Sequence, residues 1–168
     1  AVVIKPAGLA PALTLELARA LQEAGLPKGV LNVVVGEGRA IGGAIVTHPA
    51  VAALSFTGSH AVGHAIYQQL ARRMARAQME MGGKNPTLVL ADADLDLAVS
   101  LVVRAGFGLT GQACTATSRV IVERPVLAAF TEKLVAKARA LKVGPGLTPG
   151  TEMGPAVCEA QLTGNLDW

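Results

Sequence analysis

The chain has 168 residues, 51% of them hydrophobic and 16% charged, which is enough apolar material for a core of one domain's size and excludes intrinsic disorder. Aromatic residues make up 3% against 19 glycines, a balance that suits close helix–sheet packing and leaves too few rings for a nucleic-acid stacking surface. The 15 Lys and Arg against 12 Asp and Glu give a net charge of +3, scattered except for Arg72, Arg73 and Arg76, which read as a solvated helix face rather than a polyanion site.

In chain order, Ala1-Val2-Val3-Ile4-Lys5-Pro6 lacks the basic start and small-residue cleavage site of a signal peptide and begins in mid-strand. Strands are predicted over 2–4, 31–35, 53–56, 78–81, 87–90 and 120–122, short apolar runs of the nearly continuous buried kind found in parallel sheets. Helices are predicted between them. The first, 11–24, carries Leu13, Leu17 and Leu21 on one stripe and stops at Gly25 before Pro27. A short one spans 41–47. The next, 62–75, aligns Val62, Ile66, Leu70 and Met74, with Ser59 placed to cap it. Helix 95–107 follows Asp92 and Asp94, and helix 126–141 closes on Val143-Gly144-Pro145. From Gln161 onward no further element is expected to complete, so the chain reads as a segment of a longer polypeptide. Charges at Lys5, Glu16 and Arg39 interrupt the apolar runs, so no membrane span or membrane partner is expected.

Strand–helix alternation predicts an α/β fold, a parallel Rossmann-like sheet with flanking helices. Gly82-Gly83-Lys84-Asn85-Pro86 is the candidate boundary, because two glycines and a proline mark a chain reversal after which the helix–strand order restarts. Residues 1–82 are read as a nucleotide-binding layer and 83–168 as the start of a second unit. Cys114 and Cys158 are the only cysteines; they have neither a disulfide framework nor metal-ligand spacing, so a reduced cytoplasmic chain without metal is expected.

Several residues are of types that carry chemistry. Val33-Val34-Val35-Gly36-Glu37-Gly38-Arg39-Ala40-Ile41-Gly42 nearly matches the dinucleotide fingerprint, with the third glycine one position late; a tight turn using glycine at positive φ accounts for it equally well. Phe56-Thr57-Gly58-Ser59 opens a helix and suits either a pyrophosphate or a plain N-cap. Cys114, among small residues between a helix and a strand, is a candidate nucleophile or an inert core thiol, whereas Cys158 lies in an exposed, charged stretch. Glu80, between Met79 and Met81 on an apolar strand, is expected to be buried and desolvated, which makes it a general base; an edge-strand surface acid is the other reading. His48, His60 and His64 read as helix-surface or capping residues.

Taken in order, Lys5-Pro6, Gly36-x-Gly38, Phe56-Thr57-Gly58-Ser59, Glu80-Met81-Gly82-Gly83-Lys84-Asn85-Pro86 and Gly111-Gln112-x-Cys114 resemble the aldehyde dehydrogenase family over essentially the whole chain. The resemblance implies part of that family's fold and NAD(P)+-dependent oxidation of an aldehyde or semialdehyde. It implies that Cys114 is the nucleophile and Glu80 the general base. Lys5 then holds the adenosine ribose or its phosphate, Gly58 and Ser59 meet the pyrophosphate, and Gly36, Gly38 and Gly82 are counted with the cofactor contacts. Asn85 and Pro86 match the family's usual continuation, without a catalytic role.

Gly8 stands where NAD-preferring members often place an acid, which leaves NADP+ admissible beside NAD+. Cys114-Thr115-Ala116-Thr117-Ser118-Arg119 is similar to the branch acting on 2,5-dioxopentanoate. The expected partner is a small-molecule aldehyde, and the full-length protein is expected to be a homodimer or homotetramer. The rivals are a CoA-acylating semialdehyde dehydrogenase, against which Glu80 argues, and an inactive nucleotide-binding remnant.

Overall fold

The computed structural model describes residues 1–167. The chain divides into two compact units, Ala1–Met81 and the part from Gly82 onward.

In the first unit, β1 (Val2–Ile4) pairs in parallel with β2 (Leu31–Val33), and β3 (Ala53–Gly58) in parallel with β4 (Arg76–Met81). Each partner is reached through helix, as a parallel pair requires. Helix α1 (Pro11–Glu23) links β1 to β2, and α3 (His60–Ala71) links β3 to β4. Between β2 and β3 the chain makes a π-helical turn over Gly38–Gly42 that runs into the short helix α2 (Gly43–Thr47). The second unit repeats the scheme, with β5 (Asn85–Val89) parallel to β6 (Thr117–Val122) and α4 (Leu95–Phe107) between them. Helix α5 (Leu127–Arg139) and a final helix α6 (Glu159–Leu166) follow. The α6 helix was not expected, and it occupies the stretch thought to complete no element.

The α/β class and the parallel pairing agree with the sequence, but the described strands form three two-stranded sheets rather than one. That explains why the strands are not buried on both faces. Burial along β3 and β4 alternates residue by residue, because a two-stranded sheet with a helix on one side leaves its other face open. Likewise, the Leu13, Leu17 and Leu21 stripe of α1 is present but exposed, and α1 has no buried residue.

Packing is best developed in the second unit. Val99, Val102 and Val103 on one face of α4 meet Phe130 of α5 and Val89 of β5, with Val120, Val122 and Leu134 closing around them. Asp94 caps α4 by accepting from the backbone N–H groups of Asp96 and Leu97, both at 3.0 Å. In the first unit, Leu70 of α3 is fully buried and Gly63 lies so close to Met81 that a Cβ there would stand 2.6 Å from its sulfur and 3.2 Å from the Phe56 ring.

Helix α3 is shorter than its apolar stripe suggested. It ends at Ala71, and Met74 leaves the stripe, 92% exposed with φ at 56°. Of the basic group, Arg72 and Arg76 are exposed, but Arg73 is half-buried, and its Nε and Nη2 are buried without a hydrogen-bond partner among the described residues. The solvated-face reading therefore fails for Arg73. Among the described residues no helix is long and apolar enough to cross a membrane.

Candidate active site

Seven residues assigned to the cofactor all lie at or just after the C-terminal ends of strands in the first unit. Lys5 and Gly8 come after β1, Gly36 and Gly38 after β2, Gly58 and Ser59 at the end of β3, and Gly82 after β4. The register puts them in two groups. Ile4 pairs with Val33, and the Val34 N–H donates to Ile4 O at 2.9 Å, so the Lys5 and Gly36 segments leave their pair from one end. Gly58 pairs with Met81 and Thr57 with Glu80, which brings Gly58, Ser59, Glu80 and Gly82 to one end of β3–β4.

The Lys5 side chain is half-buried and its Nζ donates to the carbonyl of Pro6. Around Gly8 there is open space. Neither Gly36 nor Gly38 has positive φ, so the tight-turn reading based on left-handed glycine does not hold. Gly36 is instead closely approached by the end of the Ile41 side chain, which would have to shift to admit a Cβ, whereas Gly38 and Gly82 have open space. At Gly58 a Cβ would meet the Phe56 ring. Ser59 caps α3, its Oγ accepting from the Val62 N–H at 3.4 Å.

Glu80 departs from expectation. It lies on the exposed face of β4, while Met79 and Met81 alternate inward, and its carboxylate accepts from Gln78 Nε2 at 3.4 Å. Gln78 and Glu80 share a face because side chains two apart on a strand point the same way. The burial expected from its methionine neighbours belongs to those neighbours, one position to either side.

Cys114 lies in the second unit and is exposed, which removes the core-thiol reading. Cys158, expected in an exposed stretch, is half-buried at the start of α6. The approach to Cys114 is unusual backbone. Leu109 (φ 51°, ψ 29°) and Thr110 (φ 60°, ψ 29°) are both left-handed, and Gly111 continues at φ 67°. Such residues are strained when not glycine and persist only where surrounding bonds hold them. Here Thr110 Oγ1 donates to the carbonyls of Gly154 at 3.0 Å and Pro155 at 3.3 Å, and Gln112 Oε1 accepts from the Val157 N–H at 2.9 Å. A Cβ at Gly111 would come to 2.9 Å from the carbonyl of Gly106.

Beyond this, the turn carrying Cys114 closes with Ala116 N–H on Ala113 O at 3.0 Å. Its carbonyls are taken up by a residue given no role from the sequence: Asn85 Nδ2 donates to Cys114 O at 2.7 Å and to Ala116 O at 3.2 Å. The only sequence signal was an amide placed directly before Pro86 at a chain reversal. His48 accepts from the Ala50 N–H just after α2, while His60 and His64 stack on exposed turns of α3.

The whole chain, residues 1–168, matches the model of the aldehyde dehydrogenase family. It is 48% identical over 167 residues, 99% of this chain, to the alpha-ketoglutarate semialdehyde dehydrogenase of Haloferax volcanii, of which it covers 34%. To the 2,5-dioxopentanoate dehydrogenase of Saccharolobus solfataricus it is 48% identical over 168 residues, covering 99% of this chain and 35% of that protein. The chain thus spans about a third of the length of the curated relatives it matches. Among solved structures it is similar to HpcC from Thermus thermophilus, with a TM-score of 0.94 at 42% identity over 98% of this chain and 33% of that one. It is also similar to the betaine aldehyde dehydrogenase of Staphylococcus aureus in complex with NAD+, with a TM-score of 0.91 at 34% identity over 94% of this chain and 31% of that one. Motif order, parallel α/β architecture and a family match over all 168 residues agree, and the chain belongs to the aldehyde dehydrogenase family.

Proposed function

We propose that this chain supplies the nucleotide-binding and thiol-bearing parts of an NAD(P)+-dependent dehydrogenase that oxidises a semialdehyde, with 2,5-dioxopentanoate as the substrate. The observation that carries the reading is that every cofactor-assigned residue lies at or just beyond the C-terminal end of a parallel strand, where open α/β sheets bind nucleotides. The donor set fits such a ligand. A capped helix start at Ser59 favours a pyrophosphate, and the Lys5 ammonium beside open space at Gly8 favours an adenosine ribose or its phosphate. The nucleotide role goes to residues 1–82 and the nucleophile to 83–168.

Cys114, as its thiolate, adds to the aldehyde carbon and forms a thiohemiacetal. Backbone N–H groups at the turn are suited to hold the oxyanion. When bound, the nicotinamide supplies the hydride acceptor. Glu80 takes the proton from the water that hydrolyses the thioester on Cys114, releasing the acid and restoring the thiol. Exposure on β4 suits Glu80 to meet water, although it departs from the desolvated base first expected. A cytoplasmic location, supported by two unpaired cysteines, and a homodimeric or homotetrameric full-length enzyme belong to the same proposal.

The test is product analysis. A full-length enzyme carrying these 168 residues should convert 2,5-dioxopentanoate to 2-oxoglutarate with reduction of the nicotinamide. Acyl-CoA appearing faster than free acid in the presence of CoA would replace hydrolysis with acyl transfer. Nucleotide binding without aldehyde oxidation would reduce the chain to a binding module.

A further inference from the structure

We propose that Asn85 is a positioning residue for the Cys114 thiol, a role that rests on Cys114 being the nucleophile. Both protons of the Asn85 amide are used, one on the carbonyl of Cys114 at 2.7 Å and one on that of Ala116 at 3.2 Å. The orientation of the amide is unambiguous, because both neighbours are acceptors and only Nδ2 can serve them. Its oxygen faces Gly83, where an added Cβ would stand 3.6 Å away in ordinary contact.

The local backbone explains why a side chain is needed here. The β5–β6 register is irregular at this point: Asn85 pairs with Thr117 but Pro86 with Arg119, so Ser118 is the extra residue of a bulge. Pro86 brings no N–H to the ladder. The strand next to the turn therefore has too few main-chain donors, and the Asn85 amide supplies two. Its own backbone is held extended because the residue before a proline avoids the helical region.

The consequence reaches Cys114 through its carbonyl. The turn is exposed, and the main-chain bond within it runs from the Ala116 N–H to Ala113 O at 3.0 Å. Holding the carbonyls of Cys114 and Ala116 on one amide fixes the Cys114–Thr115 and Ala116–Thr117 peptide planes. With them it fixes the direction in which the Cα–Cβ bond of Cys114 leaves the turn. A nucleophile on an exposed turn needs such support, since small misplacement of the attacking atom is costly in rate.

The experiment uses a full-length enzyme carrying these residues, with the variants Asn85→Asp, which keeps the shape and removes both donors, and Asn85→Ser, which keeps one. Iodoacetamide labelling of Cys114 relative to Cys158 is measured beside kcat, aldehyde KM and nucleotide Kd. Asn85→Asp should lower kcat by roughly 30-fold and slow Cys114 labelling, with nucleotide Kd and Cys158 labelling unchanged. Asn85→Ser should fall between it and the parent. Parent-like kcat and labelling in a folded Asn85→Asp would overturn the proposal, and so would failure of both variants to fold, which would make the contact a folding element. Failure of the underlying nucleophile reading shows separately, as a parent enzyme whose activity survives Cys114→Ser.

Discussion

In hydrogen-bond pattern, Met74 behind α3 is the counterpart of Gly25 behind α1. Behind α1, the Leu26 N–H reaches Leu21 O and the Gly25 N–H reaches Gln22 O, both at 3.0 Å; behind α3, Ala75 reaches Leu70 O and Met74 reaches Ala71 O, both at 3.1 Å. Both helices end in the same left-handed stop, with φ at 94° for Gly25 and 56° for Met74. A side chain in that conformation costs roughly 1–2 kcal/mol.

Met74→Gly should therefore be stabilising. The strain released is partly offset by the ~0.4–1 kcal/mol of extra freedom glycine gives the unfolded chain, leaving a gain of about 0.5 kcal/mol. Met74 is 92% exposed, so little packing is lost. Gly25→Ala should destabilise. Thermal unfolding of the two variants beside the parent decides the matter; a lower Tm for Met74→Gly would show that the methionine makes contacts that outweigh its strain.

Cys114 should alkylate faster than Cys158 with iodoacetamide at neutral pH. The first thiol is exposed in a turn and the second is half-buried at a helix start. In a full-length enzyme, Cys114→Ser should abolish both aldehyde oxidation and ester hydrolysis. Equal labelling rates, read by mass spectrometry of the two peptides, would return Cys114 to a structural role.

Glu80→Gln should separate the two halves of the reaction. The amide cannot take a proton from water, so thioester hydrolysis slows while the first turnover proceeds. Stopped-flow absorbance should show a burst of reduced nicotinamide followed by a slow steady rate. A variant without the burst would place Glu80 before hydride transfer, at activation of Cys114.

The proposed cofactor choice turns on Gly8. An acid beside the adenosine ribose would repel a 2′-phosphate by at least ~1 kcal/mol even when screened, and Gly8 removes that repulsion while Lys5 stays nearby. The enzyme is expected to use NADP+ at least as well as NAD+. Nothing lies within 4 Å of a Cβ at Gly8, so Gly8→Glu should be accommodated and shift the kcat/KM ratio toward NAD+ by roughly tenfold, or ~1.4 kcal/mol. Steady-state assays with both cofactors check it, and a strong preference for NAD+ with Gly8 in place would locate the determinant elsewhere.

The sequence by itself determined the local elements and their order. Apolar periodicity and end signals located five of the six α-helices among the described residues, because caps such as Ser59 and Asp94 and stops such as Gly25 act within a few residues of chain. It also named the family through motifs in register, among them Glu80 to Pro86 and Gly111 to Cys114. Tertiary structure decided whatever depended on residues distant in the chain. The exposure of Glu80 follows from its register on the open face of β4, which its methionine neighbours could not reveal. The end of α3 at Ala71 was set by Met74 taking a left-handed conformation against its propensity. The clamp on Cys114 arises because parallel pairing of β5 with β6 carries Asn85 to a turn 29 residues further along the chain, a contact that no local pattern encodes.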